Sequence, residues 1–436
     1  MMLRKGLAGA ALFMLAMAGA AHAQDTGSTD NGTGGNMTTP GETPATPTPG
    51  PTTPSPFMDL LDRAGISGPL DAANIDVFGY VEGGYLWDYT KPENITPAKS
   101  APGDFIFFPG PYKDSLMLNQ ADLSIERAVD VNKGTFDVGF MVEGIFGRDA
   151  FYTHSNGVLD QDNKAGGTSG PDDQLDLPQA YIDMVLPVWS GITITAGKFD
   201  SILGVETINP TTNAFYTHSY EFSYGTPFTY TGVLSSLNLP DSTDANETSS
   251  LTFGITRGWN QTLYDDNGCP DGLFQFAHKG AWLSYKFNFN YGPEGNLAYG
   301  PPDNTDWWEV YEAQVTLKAS DQVSITADGL VGNAAHLSTW SDLAGYVTYT
   351  INPTWALNLR AEYYHDGHGV TTGVGGGDVD YGEVTYGPSI TPLPGDEWFG
   401  GLVIRPEIRY DWADRHVFDA AHSTQLTSAI DVYWKF

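Results

Sequence analysis

The chain has a single cysteine, Cys269, in 436 residues. No intramolecular disulfide is available, and a thiol beside Pro270 in a Gly/Asp-rich stretch reads as an incidental surface residue. Beyond residue 23 there is no apolar run of about 18 residues, which excludes a bilayer-spanning helix. Basic residues are scarce: 20 Lys+Arg stand against 53 Asp+Glu, a net charge of −33. So acidic a chain repels phosphate backbones, and nucleic acid is not an expected partner. What the chain does have is aromatic residues at 13%, including 23 Tyr and 11 Trp, and 51 Gly. Tyr and Trp gather at membrane–water interfaces. A mean hydropathy of −0.25 rules out a helical membrane protein. It suits a β-barrel, whose polar lumen dilutes every apolar face.

Residues 1–23 read as a secretory signal peptide. Arg4 and Lys5 precede the apolar Gly6–Gly19, and Ala21-His22-Ala23 forms a small-residue cleavage site. No Cys follows the apolar run, so a lipoprotein anchor is excluded. Removing the peptide takes away two cations and moves the net charge from −33 to −35. Residues 24–56 are rich in Thr, Pro, Gly and Asn and cannot bury a core. They are expected to be a disordered, polyproline-like periplasmic linker. A contact with peptidoglycan is left open beside the plainer reading as a tail. Residues 57–74 are expected as a short periplasmic segment, with FMDLLDRA (Phe57–Ala64) able to form an amphipathic helix.

The C-terminal stretch alternates strictly. Ile430, Val432, Trp434 and Phe436 share one face, and Asp431, Tyr433 and Lys435 the other. Period-two alternation marks a strand between two environments. A strand ending on a terminal Phe is the expected sorting signal read by the outer-membrane barrel assembly machinery. Fifteen such stretches can be read between Val77 and Phe436. Short turns separate some, such as DVNKG (Asp130–Gly134) and TPLPGD (Thr391–Asp396). Longer Gly/Asp/Asn/Pro loops separate others, at Thr90–Asp114, Arg148–Asp176, Asp200–Thr226, Trp259–Gly280 and His365–Asp378. Single-chain bacterial barrels need an even number of strands. Parity therefore predicts one hidden strand between Trp259 and Pro302, with Phe276–Tyr291 divided in two. The expected fold is all-β: a transmembrane antiparallel β-barrel over residues 75–436, of about 16 strands within a range of 14–18.

Energy decides which face meets lipid. In Glu397–Asp411, Leu402, Ile404, Ile408 and Tyr410 lie on one side, and Arg405, Glu407, Arg409 and Asp411 on the other. Facing the second set outward would put two arginines in lipid, at roughly 2–4 kcal/mol each near the midplane. The charged face must be inside. The same rule turns Arg360 and Glu362 inward, with Asp137, Glu143, Asp122, Glu126, Asp183, Glu312, Lys318, Asp328 and Asp431. These fifteen are the candidate pore-lining residues. A barrel this wide leaves an aqueous channel, in which charges stay hydrated or pair across strands, and which one long loop, Arg148–Asp176 or Asp200–Thr226, is able to narrow by folding inward. Arg405–Glu407 and Arg360–Glu362 are candidate structural pairs. The acidic balance suggests a weak cation preference.

Several stretches carry a resemblance: FGYVEGGY (Phe78–Tyr85), LNQADLSIERAVD (Leu118–Asp130), DVGFMVEGIFGRDA (Asp137–Ala150), TAGKFDSILGVETINPTTN (Thr195–Asn213) and FYTHSYEFSYGTPFTYTGV (Phe215–Val233). In this order they resemble the OmpL-like β-barrel porin family over nearly all of residues 75–436. The resemblance implies a Gram-negative outer-membrane diffusion pore that meets lipid and lipopolysaccharide, takes small hydrophilic solutes or ions, and needs no cofactor. It leaves open whether the chain forms a homotrimer.

His154-Ser155-Asn156 resembles the His/Ser/Asn site of outer-membrane phospholipase. That site needs its His and Ser two apart on one face, whereas adjacent residues point oppositely. His218-Ser219 repeats the adjacency, and no enzyme is expected. The acidic stretches Asp160–Asn163, Asp172–Asp176 and Asp265–Asp271 offer oxygen ligands for Ca²⁺ but lack EF-hand spacing, so a solvated surface is preferred and no metal is expected. Gly373–Gly377 has no Lys-Ser/Thr after it and is not a phosphate cradle. The alternative to a porin is a plugged structural or adhesive barrel that presents external loops.

Overall fold

The computed structural model describes residues 55–90, 115–159, 173–239, 247–265, 267–294, 307–335, 337–418 and 422–436. The signal peptide, most of the Thr/Pro linker and the Asp160–Asn163 cluster lie outside the described residues.

The strands are β1 (Asp76–Phe78 and Tyr80–Asp88), β2 (Leu116–Arg127), β3 (Asp137–Gly147), β4 (Gln174–Leu186), β5 (Ile192–Asp200) and β6 (Thr229–Leu239). There follow β7 (Thr248–Thr256), β8 (Asp271–Lys279), β9 (Leu283–Pro293), β10 (Trp307–Lys318) and β11 (Val323–Ala334). The last are β12 (Ser338–Asn352), β13 (Trp355–Asp366), β14 (Val379–Ile390), β15 (Leu402–Ala413) and β16 (Thr424–Lys435). Each strand pairs antiparallel with the next, and β16 returns to β1 through Ile430 opposite Tyr85. The result is a closed 16-strand antiparallel barrel without a free edge. Closure is what permits strands to cross a bilayer, because every backbone group finds a partner.

The two parts of β1 are one strand broken at Gly79. Both parts pair with β2. A Cβ at Gly79 would sit 2.3 Å from the Asp122 carbonyl oxygen and 3.1 Å from the Phe436 ring, so only glycine fits. The Gly79 and Phe436 backbones exchange two hydrogen bonds of 2.9 Å and carry the seam across the break.

The hidden strand is β8. It turns at residues 280–282 into β9, with Phe276 opposite Phe287. This corrects the loop at Trp259–Gly280, whose second half is strand. Gly272 and the Cys-Pro before it masked its start. The first of the two strands also starts earlier than Phe276, at Asp271, with Leu273 and Gln275 already pointing inward. Smaller corrections follow the same cause: Glu397 belongs to the turn before β15, and β4 begins at Gln174.

Large apolar side chains stay exposed on the outer face. Ile125, Val142, Ile182, Leu359, Ile408 and Val432 point outward with Trp355, Tyr363 and Tyr410. In a bilayer this face is buried by lipid. Helix α1 (Pro56–Arg63) packs at the rim where the first and last strands of the barrel meet. Ser55 caps it, its Oγ accepting from Met58 N at 3.1 Å and donating to Val77 O at 2.8 Å. The Phe57 ring lies 5.9 Å from the Phe436 ring, tilted by 54°, and Arg63 pairs with Glu397 at 3.3 Å.

Candidate functional site

The inside of the barrel is occupied by the connection between β5 and β6, residues 201–228. Of the loops Arg148–Asp176 and Asp200–Thr226, offered by the sequence as able to fold inward, the second crosses the lumen, and Ala150 of the first packs with its Ile208 and Phe222. Its first half folds on itself. Asn213 accepts from Thr207 N at 3.0 Å and donates to Thr207 O at 2.8 Å. The Asn209 side chain accepts from Thr211 N at 2.9 Å, giving a 3-10 turn over Pro210–Thr212.

Charged side chains of the wall then hold the loop. From β15, Arg405 donates to Pro210 O and Asn213 O at 2.8 and 2.7 Å. Glu407 accepts from Tyr216 N at 2.9 Å, and Arg409 donates to His218 O at 2.5 Å. From β13, Arg360 donates to Thr217 O at 2.7 Å and to Glu206 at 2.6 Å. Glu362 accepts from Tyr220 N and Glu221 N, both at 2.8 Å. Glu312 of β10 accepts from Gly204 N at 3.0 Å. On the opposite wall, Gln120 of β2 donates to Ile208 O at 2.9 Å. Hydrogen bonds to charged groups contribute about 1.5–3 kcal/mol each, so the loop is a fixed part of the lumen.

The predicted inner residues divide by height. Asp122, Asp137, Glu143, Asp183, Glu312, Asp328, Arg360, Glu362, Arg405, Glu407, Arg409, Asp411 and Asp431 are all buried on the inner side. Glu126 is half-buried, and Lys318, the last residue of β10, is exposed at the rim. Asp137 also sits at that rim, paired with Arg127 at 3.0 Å. The central group is Arg360, Glu362, Arg405, Glu407, Arg409, Asp411 and Asp431.

The proposed pairs Arg405–Glu407 and Arg360–Glu362 do not form as such. Arg405 pairs with Asp431 directly opposite on β16, at 2.6 Å, and with Glu82 of β1 at 3.1 Å. Arg360 pairs with Glu383 of β14 at 2.5 Å and with Glu206. Arg409 pairs with Asp411 at 2.8 Å. Glu407 and Glu362 are left to bind the loop's N–H groups. The sequence reading missed Glu82, Asp342 and Glu383, although their inward parity was available. It missed Glu206 and Glu221 because a loop has no period.

His218 is buried in the loop. Burial, then the guanidiniums of Arg360, Arg405 and Arg409, hold its imidazole well below the ordinary range. Glu206, 3.8 Å away, would favour the cation but is engaged by Arg360. Ser219 caps the following turn, its Oγ accepting from Phe222 N at 3.1 Å. His154 meets Leu175 O at 3.0 Å, while Ser155 meets Thr229 Oγ1 at 2.8 Å. Neither adjacency places a histidine to activate its serine. The described acids of the loop clusters have protein partners. Asp176 accepts from Thr153 Oγ1 at 2.7 Å, and Asp265 from Gly268 N at 2.6 Å.

Comparison places this architecture among known barrels. The model of the family described as "Putative beta-barrel porin-2, OmpL-like" matches residues 74–436. No curated protein sequence matches. Among solved structures, Salmonella typhi OmpF in complex with daunomycin aligns at TM-score 0.57 and 12% identity, over 84% of this chain and 99% of that one. Pseudomonas putida OprB aligns at 0.51 and 12%, over 86% and 97%. An anion-selective porin from Comamonas acidovorans aligns at 0.50 and 10%, over 83% and 99%. At these identities the likeness is one of fold.

Proposed function

The chain belongs to the OmpL-like porin-2 family, and from that premise we propose that it is a passive diffusion channel for small hydrophilic solutes or ions, with a weak cation preference. It is a β-barrel of the Gram-negative outer membrane, and its family and fold indicate a channel rather than an enzyme. The observation that carries the reading is the loop at residues 201–228, which narrows the lumen from a fixed position. Passage then runs between this loop and the wall. The preference rests on charge: buried carboxylates far outnumber the buried cations Lys198, Arg360, Arg405 and Arg409. Those arginines are already paired with acids.

Most residues of that loop are buried and none is exposed, which favours a second reading, a plugged structural barrel. Single-channel recording of the refolded barrel in a planar bilayer under a salt gradient separates the two. A channel gives steady conductance with a reversal potential of cation sign. An anion bias would keep the channel and reject the preference. A folded but silent barrel would reject the channel. The mass of the same preparation in detergent reads whether three copies associate.

A further inference from the structure

Where loop 201–228 meets β10–β12, four carboxylates converge, none of them in an ion pair among the described residues, although the charge of Lys286 on β9 also acts on Glu312. Glu221 comes from the loop, Glu312 from β10, Asp328 from β11 and Asp342 from β12. Strand register gathers the wall residues: Glu312 lies opposite Leu330, Leu330 lies opposite Asp342, and Asp328 is two residues along from Leu330. Oxygens of Glu221, Glu312 and Asp328 lie within 4.8 Å of one another. Glu221 and Asp328 are each 1% exposed and Glu312 is 4% exposed.

Three of the four are unsatisfied. Both carboxylate oxygens of Asp328, both of Asp342, and Oε1 of Glu221 accept no well-formed hydrogen bond among the described residues. The arginines of the lumen are engaged elsewhere, with Glu82, Glu206, Glu383, Asp411 and Asp431. Buried anions without partners cost several kcal/mol each. A fold that gathers them needs a bound cation or shared protons there.

We infer that Glu221, Glu312 and Asp328, with Asp342 beside them, form a Ca²⁺ site that clamps loop 201–228 to the wall. All the donors are hard carboxylate oxygens, and the group has no His or Cys, which sets it apart from Zn²⁺ and Cu²⁺ sites. Ca²⁺ binds oxygens at about 2.3–2.6 Å, so ligands on opposite sides of one ion stand up to about 5 Å apart. That matches the spacing here. Mg²⁺ requires shorter bonds, keeps several waters and uses one or two carboxylates, which a closed group of this kind does not suit. The site is separate from the described acids of the loop clusters, Asp173, Asp176, Asp265 and Asp271. Ion binding does not depend on conduction, so the clamp and the channel reading can fail independently.

The test is calorimetric titration of CaCl2 into the chelator-stripped, folded barrel in detergent, with folding checked by heat-modifiable gel mobility. One ion per chain is expected, with affinity falling at least about tenfold in Glu221→Gln and in Asp328→Asn, while Asp265→Asn binds as the unmodified chain does. No binding to the unmodified barrel would overturn the clamp, since the carboxylates would then share protons instead. Equal binding in Glu221→Gln would overturn it too. Glu221 lies on the loop outside the strand ladder, so this variant still reports should Asp328→Asn fail to fold.

Discussion

Arg405 is 2% exposed and meets Asp431, Glu82 and two loop carbonyls at once. Its guanidinium also lies 4.8 Å above the Tyr433 ring. Such a group stabilises only as a complete set. Removing one partner of a buried pair costs about 3–5 kcal/mol, because the remaining charges stay buried. Arg405→Leu would leave Asp431 and Glu82 facing each other, and a lower urea midpoint is expected for the refolded barrel. Arg405→Lys should recover only part, since an ammonium lacks the planar fork. Unfolding of Arg405→Leu at the unmodified midpoint would mean that these charges are hydrated. Strand parity located such residues from sequence, because a charge facing lipid is expensive. It did not identify their partners. Residues two apart on a strand share a face, yet the closest neighbours lie across the ladder, and register is set by turns that the sequence marks only weakly.

Among the elements, the strands were legible and the loop was not. Alternating Arg405–Asp411 or Phe136–Val142 declares a strand without outside help. β8 emerged only through parity, because Gly272 and Pro270 interrupt its pattern. Loop 201–228 has neither period nor hydrophobic run. Its path is set by wall residues such as Glu407, 191 positions distant from Tyr216. The sequence could name it only as one of two candidates for folding inward. If the loop is what restricts the lumen, replacing residues 206–222 with a short Gly/Ser link should leave the ladder intact, because no strand pairing passes through them. Conductance is then expected to rise roughly twofold or more, with gel mobility still heat-modifiable. Unchanged conductance in a folded variant would place the restriction elsewhere.

For the whole molecule, the question is which charges act on a passing ion. The net charge of −33 includes acids in external loops and acids inside the lumen. Salt separates these contributions. Fields from exposed loops are screened over about 10 Å at 0.1 M and about 3 Å at 1 M, whereas buried groups are screened far less. The loop-lined lumen holds Asp122, Glu143, Asp328, Asp342 and Glu362 within the barrel wall, so a preference set there should survive salt. Reversal potentials measured at the same concentration ratio around 0.1 M and 1 M are expected to keep their cation sign. Asp122→Asn with Glu143→Gln should weaken the bias at both concentrations. A bias that vanished at 1 M and ignored these two substitutions would assign selectivity to the external loops, leaving the lumen to set only the width of the path.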